Sequence, residues 1–174
     1  VTSGELEQRD LLAALAFLRS RPDAGEARIG AVGFSSGGSA LVEAAAGEPA
    51  IAAVLLEATP PTLEEDVAQD YPRDRPLERR IGVLVHRLWG VHPERVRPID
   101  RLCRLSPRPL LLIYGERDPG FPPAAAHRML AAACAPKGLW LVPGGGHGGY
   151  AELQPAAYEE QLVRFFSSAL AVRP

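Results

Sequence analysis

The sequence predicts an α/β fold, a three-layer arrangement in which a mainly parallel sheet is covered by helices on both sides, and two observations carry that prediction. Short apolar runs with little polar alternation, as expected of strands buried on both faces, fall at Arg28 to Phe34, Ile51 to Leu56, Leu110 to Tyr114 and Leu139 to Val142. Segments with helical spacing lie between or after them, and this alternation of β and α elements is the pattern of a parallel sheet between helical layers.

Each element has its own reason. From Glu5 to Ser20, Leu6, Leu11, Leu12, Leu15, Ala16 and Leu18 recur at helical intervals, and Arg21-Pro22 ends the pattern. A helix from about Gly37 to Ala46 follows the first strand directly, and further helices are expected at about Pro122 to Ala133 and Pro155 to Ala171. Between the second and third strands, Pro60 to Pro107 runs for nearly fifty residues and carries TPPTLEED, YPRDRPLERR and HPERVRP, with a helix around Leu77 to Trp89. Crossovers in compact α/β domains are much shorter, and long ordered excursions tend to cover binding sites. The chain is therefore read as one domain over 1–174, with a cap or lid insertion at about 60–107.

Composition narrows the functions. The 174 residues are 47% hydrophobic, enough for a real core, and 19 basic against 21 acidic residues leave a net charge of −2. No overall field attracts nucleic acid or an acidic membrane surface, so a small-molecule partner is expected. No apolar run approaches the ~20 residues of a membrane span. Cys103 and Cys134 show no metal-ligand or CxxC spacing and read as reduced core residues; the four histidines show no metal-ligand spacing either. No metal or cofactor is expected.

The chemistry starts at GFSSGG, residues 33–38, between the apolar run RIGAV and the Ala-rich segment SALVEAAA. It lacks the third glycine of a dinucleotide fingerprint and the lysine of a P-loop, but satisfies G-x-S-x-G with Gly33, Ser35 and Gly37. A serine lifted off a strand end by a sharp turn into a helix needs a strained backbone and small residues on both sides. Gly33 and Gly37 are expected to supply that room. The helix that follows aims free N–H groups at a developing oxyanion, with the Ser36 N–H as the named donor.

A serine hydroxyl needs a base, and the base needs an acid to orient it. LLLIYGERDPGFPP leaves a strand at Tyr114 and reaches Asp118 in a loop; LWLVPGGGHGGY leaves the next strand at Val142 and reaches His147 in a glycine-rich loop. All three residues lie just beyond the carboxyl ends of parallel strands, so they converge on one edge of the sheet. Glu116 in the same loop and Glu57 after the second strand are rival acids; Asp118 is preferred because Gly-x-x-Asp gives one turn of chain to bring its carboxylate beneath the histidine. Trp89, Leu84 and Leu88 either line an acyl pocket or simply pack, and the stretch Arg73 to Arg80, with Asp74 and Glu78, reads as a solvated face. Phe34 and Tyr150 receive no role.

The helix DLLAALAFLRSRP, then RIGAVGFSSGG, SPRPLLLIYGERD, KGLWLVPGGGHGGY and the closing YEEQLVRFF together resemble the C-terminal part of an α/β-hydrolase of the dienelactone-hydrolase and prolyl-oligopeptidase-like group. The resemblance covers nearly all of the chain except the excursion. It implies a serine hydrolase with Ser35 as nucleophile, His147 as base, Asp118 as acid and Ser36 in the oxyanion hole, acting on a carboxylic ester of a small molecule through an acyl-enzyme. A peptidase or acyltransferase on the same triad and a non-catalytic hydrolase-like fragment are the alternatives. Ser36 stands where many relatives have Met, and Ser35 where dienelactone hydrolases have cysteine, which favours a serine esterase or peptidase.

The resemblance also implies that N-terminal strands, and a His-Gly-type loop donating a second oxyanion N–H, are missing before residue 28. The chain is accordingly expected to be weakly active alone and to expose the Arg28 to Phe34 strand as an apolar edge, through which it forms a homodimer or associates with the missing half. The expected compartment is the cytoplasm.

Overall fold

A computed structural model describes residues 4–24, 27–69, 75–88 and 90–171. Its sheet contains β1 (Ile29–Phe34), β2 (Ile51–Glu57), β3 (Leu110–Gly115) and β4 (Lys137–Val142), all parallel and in the order β1-β2-β3-β4. The helices are α1 (Glu7–Ser20), α2 (Ser36–Gly47), α3 (Leu63–Gln69), α4 (Pro76–Leu88), α5 (Pro123–Ala132), α6 (Tyr150–Leu153) and α7 (Pro155–Leu170). Three short 3-10 turns, Pro93–Arg95, Pro98–Asp100 and Leu102–Leu105, complete the excursion before β3.

Alternation along the central strands builds the three layers, because successive strand residues face opposite sides. Val54, Leu56, Leu110, Leu112 and Tyr114 share one core with Leu41 and Val42 of α2 and Ala125, Ala126 and Met129 of α5. Leu55, Leu111 and Ile113 face the other way, against Tyr150 and the Tyr158, Leu162, Phe165 and Phe166 side of α7. Both central strands are almost wholly buried, which is why they read as continuous apolar runs.

Two expectations need correction. The first strand is not buried on both faces but forms the exposed apolar edge that the resemblance implies: β1 has β2 as its one neighbour among the described residues, and Val32 and Phe34 are 48% and 44% exposed. An edge strand lacks the second flanking strand whose side chains would cover it. The cysteines are not reduced: Cys103 and Cys134 form a disulfide, with Cα atoms 4.5 Å apart. The Leu102–Leu105 turn packs beside the end of α5 in the same core, and Ser106 Oγ donates to the Ala135 carbonyl at 2.7 Å. The disulfide joins residues 31 positions apart, a pairing that no short ligand-type spacing announces.

The excursion forms its own small core from Leu63, Val67, Val91 and Val96, with Val83 of α4 packed on it. It is fastened to the main body by an ion pair between Glu65 of α3 and Arg128 of α5 at 2.7 Å. The helix expected over Leu77 to Trp89 is α4; Trp89, like Arg73 and Asp74 of the arginine-rich stretch, lies outside the described residues. Arg75 and Glu78 are exposed and paired at 2.9 Å. No helix among the described residues is long and apolar enough to cross a membrane.

Candidate active site

The site sits at the carboxyl ends of the strands, where three loops meet. At the end of β1 the chain turns sharply into α2 through Ser35, whose φ of 50° and ψ of −124° lie in a region that side chains rarely adopt. Ala58, just after β2, has φ of 42°, so the two non-glycine residues with positive φ among the described residues follow adjacent strands at the same end of the sheet. The Ser35 N–H donates to the Glu57 carbonyl at 2.8 Å, which fastens this turn to β2.

Small residues make the turn possible, although not the pair expected. A Cβ on Gly33 would stand 2.7 Å from Gly38 Cα, and one on Gly38 would run into Thr59 Oγ1, whereas one on Gly37 would meet nothing within 4 Å. Gly33 and Gly38 therefore supply the close approach, and Gly37 does not. Ser36 opens α2, where the first N–H groups have no intrahelical partner, and no acidic side chain lies in that first turn.

Asp118 stands in the loop after β3 with no solvent exposure of its side chain. Its Oδ1 accepts from the N–H groups of Gly120 at 2.8 Å and Phe121 at 3.0 Å, leaving Oδ2 for His147. His147 Nδ1 lies 2.9 Å from that oxygen, and its Nε2 lies 3.1 Å from Ser35 Oγ. A buried carboxylate only accepts, so Nδ1 carries the proton and Nε2 is left to accept from the Ser35 hydroxyl. The structure thus brings Ser35, His147 and Asp118 into one hydrogen-bonded chain, from three loops separated by as many as 112 positions.

The histidine loop is held by backbone contacts. The Gly145 carbonyl accepts from the Arg117 N–H at 2.8 Å, and a Cβ on Gly115 would run into the carbonyls of Gly145 and Gly146. The histidine and aspartate loops are therefore packed main chain to main chain, at a place where only glycine fits. The imidazole is also flanked by two rings, Phe34 with centroids 5.2 Å away and Phe121 at 5.7 Å. Sequence reasoning gave Phe34 no role and passed over Phe121. Their signals were adjacency: Phe34 directly precedes the serine, and Phe121 follows Asp118 by three places.

The rival acids point elsewhere. Glu116 Oε2 accepts from the Gly144 N–H at 3.3 Å, a contact to the histidine loop's backbone. Glu57 is buried and accepts from the Tyr158 hydroxyl at 2.7 Å; its burial pushes the carboxyl above the usual range, with the Tyr158 hydrogen bond opposing. Burial likewise pushes the Tyr150 hydroxyl up to about 12, so that ring stays neutral near physiological pH.

A groove of about 840 Å³ lies at the opposite, amino-terminal end of the strands, lined by Arg28, Arg108, Pro109 and Phe165 among others. It is remote from the serine. Arg108 there is committed to the fold, donating to the carbonyls of Ala45 at 2.7 Å, Glu48 at 2.9 Å and Ile51 at 3.1 Å. The hydrogen-bonded Ser35, His147 and Asp118 lie at the other end of the strands.

No family model matches the chain. Among curated proteins, an uncharacterised protein, YfhR, of Escherichia coli O157:H7 is 37% identical over 70 residues, which are 40% of this chain and 25% of that protein; the YfhR of strain K12 matches to the same extent. The match thus spans a quarter of the relative's length. Among solved structures, the α/β hydrolase GrgF from a Penicillium species aligns at a TM-score of 0.75 and 15% identity, over 97% of this chain and 73% of that one. The esterase Pf2001 of Pyrococcus furiosus aligns at 0.75 and 18% identity, over 98% and 65%. A puromycin-hydrolysing peptidase of Mycobacterium tuberculosis aligns at 0.74 and 20% identity, over 99% and 26%. With a four-stranded parallel sheet between two helical layers, and neighbours that agree along nearly its whole length, this chain has the α/β-hydrolase fold.

Proposed function

We propose that the chain carries the catalytic residues of a serine hydrolase that cleaves a carboxylic ester of a small molecule. The observation that carries the reading is the hydrogen-bonded run from Ser35 Oγ through His147 to a fully enclosed Asp118. In this mechanism Ser35 Oγ attacks the acyl carbon while its proton passes to His147 Nε2. The Asp118 carboxylate stabilises the imidazolium through Nδ1–H and holds the ring's orientation. The Ser36 N–H donates to the tetrahedral oxyanion at the positive end of α2. As the intermediate collapses, His147 returns the proton to the leaving alkoxide, and the acyl group remains on Ser35. Water, deprotonated by the same imidazole, then releases the acid and restores the hydroxyl.

The peptidase neighbour favours amide cleavage as a second reading on the same residues. In this reading the excursion over 60–107 is a cap beside the site, because Gln69 at the end of α3 touches Gly120 in the aspartate loop. The disulfide supports an oxidising compartment rather than the cytoplasm expected from sequence, since such bonds are rare where thiols are kept reduced.

The test is labelling with a fluorophosphonate, which reacts with an activated serine. Wild-type chain should label and Ser35→Ala should not. Labelling that persists in Ser35→Ala, or a wild-type chain that stays unlabelled, would remove Ser35 from this role.

A further inference from the structure

The groove at the amino-terminal end of the strands joins apolar surface to a set of arginines. Its volume of about 840 Å³ falls within the ~300–1,000 Å³ of small-molecule pockets. Leu111 of β3 and Phe165 of α7 give it apolar surface, and Pro49, Pro107 and Pro136 add stiff, apolar turns of chain. Four arginines line it, and no aspartate or glutamate does. They come from separate elements: Arg19 from the last turn of α1, Arg28 from the residue before β1, Arg108 from the approach to β3 and Arg164 from α7.

The partners of these arginines show which donors and which charge remain. Arg108 donates from Nε to the Leu105 carbonyl, from Nη1 to those of Glu48 and Ile51, and from Nη2 to those of Ala45 and Arg104. All of its acceptors are neutral carbonyls, so its donors are satisfied while its charge touches no carboxylate among the described residues. Burial weakens its hold on the proton, with the field of Glu48 opposing. Arg28 commits one N–H to the Ala171 carbonyl at 3.0 Å, and Arg19 has no partner among the described residues. Arg164 is the most engaged by polar side chains, donating to the Gln161 amide oxygen at 2.6 Å and lying 3.8 Å from Glu160. Setting both nearby acids, Glu48 and Glu160, against the four arginines still leaves two positive charges. The open N–H groups of Arg19 and Arg28 suit an anion's paired oxygens, which planar guanidinium groups bind two at a time.

We infer that this groove binds a small amphipathic anion, with its carboxylate or phosphate head at Arg19 and Arg28, in the field of Arg108, and its apolar body against Leu111 and Phe165. A neutral or cationic molecule with the same body gains nothing from the arginines, and a bare anion leaves the apolar surface in water. The site is independent of the reaction assigned to Ser35, which stands at the other end of the strands.

The test is isothermal titration calorimetry of the 174-residue chain with octanoate and with octyl phosphate, and with octan-1-ol, octylamine and acetate for comparison. At least one octyl anion should bind saturably, the tighter of the two identifying the head group, and added salt should weaken it. Octan-1-ol, octylamine and acetate should each bind at least about tenfold more weakly. The double variant Arg19→Glu/Arg28→Glu should weaken the anion at least about tenfold. Ser168→Trp, which puts a large ring into the groove from α7, should do the same. These three positions are exposed, so both variants should keep their circular dichroism spectra and melting points. Ile81→Asp, on the exposed apolar side of α4, should bind as the unmodified chain does. Equal binding of octan-1-ol, binding that either groove variant leaves intact, binding lost in Ile81→Asp, or no saturable binding of either anion would overturn the inference.

Discussion

The loops at the carboxyl end of the sheet and the excursion between β2 and β3 are built on opposite plans. In the loops polar atoms are tightly committed: Asp118 spends its two oxygens on two backbone N–H groups and one imidazole, and the histidine loop rests on a glycine main chain. The excursion is held by a small core, by ion pairs from Glu65 to Arg128, Arg95 to Glu5 and Arg101 to Glu43, and by a disulfide at its end, and it turns a row of large apolar side chains to the outside. The difference is one of construction: three side chains drawn into one hydrogen-bonded run rest on constrained backbone, whereas the excursion rests on apolar packing around a small core of its own.

The largest expected effect lies in the loops. Asp118→Asn keeps the shape of the acid but favours the wrong imidazole tautomer, and should lower ester hydrolysis by about 10⁴-fold relative to the unmodified chain, as in other serine triads. Steady-state rates on an activated aryl ester measure this. A loss under tenfold would mean that His147 is oriented by the Phe34 and Phe121 rings instead.

Next in size is the disulfide, which belongs to the other region. Reducing Cys103–Cys134 opens a loop closed over 31 positions and should cost about 3–4 kcal/mol of unfolding free energy. Labelling of Ser35 in the still-folded fraction should be unchanged. Denaturant melts with and without reductant, each paired with labelling, separate the two outcomes.

Gly115→Ala and Gly37→Ala sharpen the contrast within the site itself. The first drives a methyl into the carbonyls of Gly145 and Gly146, so it should cost about 1–3 kcal/mol and displace His147. The second adds a methyl where nothing lies within 4 Å, and a helical Gly→Ala change of this kind should leave stability unchanged or raise it by up to about 1 kcal/mol.

The smallest effect is one of pH. Burial holds the Glu57 carboxyl above its ordinary range in the folded chain, so the folded state binds that proton more tightly than the unfolded one. Stability from this group therefore rises as pH falls through the raised value and stops changing below the ordinary carboxylate range. Glu57→Gln should remove this part of the slope and be at least as stable as the original near neutral pH, since the amide oxygen still accepts from Tyr158. A series of melts between about pH 4 and 8 would show it; an unchanged slope would assign it to Glu43, which burial also pushes up.

Much of the site was legible because its parts are local. G-x-S-x-G fixes a strand, a sharp turn and a helix within a few residues, and Ser35, Asp118 and His147 each follow a strand that its apolar run announces. What escaped was set by contacts between distant segments. Gly38 matters because Thr59 stands against it, Gly37 matters less than its place in the motif suggests, and Phe121 matters because its ring reaches His147. The cysteines paired for the same reason: the approach of the Leu102–Leu105 turn to the end of α5 depends on the packed core, not on spacing. The exposure of α4 escaped as well, because a periodic apolar stripe looks the same whether it faces the core or the solvent.

The reading rests on a single oxygen, and peptide mapping addresses it directly. After fluorophosphonate treatment and digestion, fragmentation mass spectrometry locates the phosphonate among Ser35, Ser36 and Ser39, three hydroxyls within five residues. The account predicts the added mass on Ser35, and its loss when His147 is replaced by Ala. Modification of Ser36 or Ser39, or of Ser35 at an undiminished rate without His147, would contradict it.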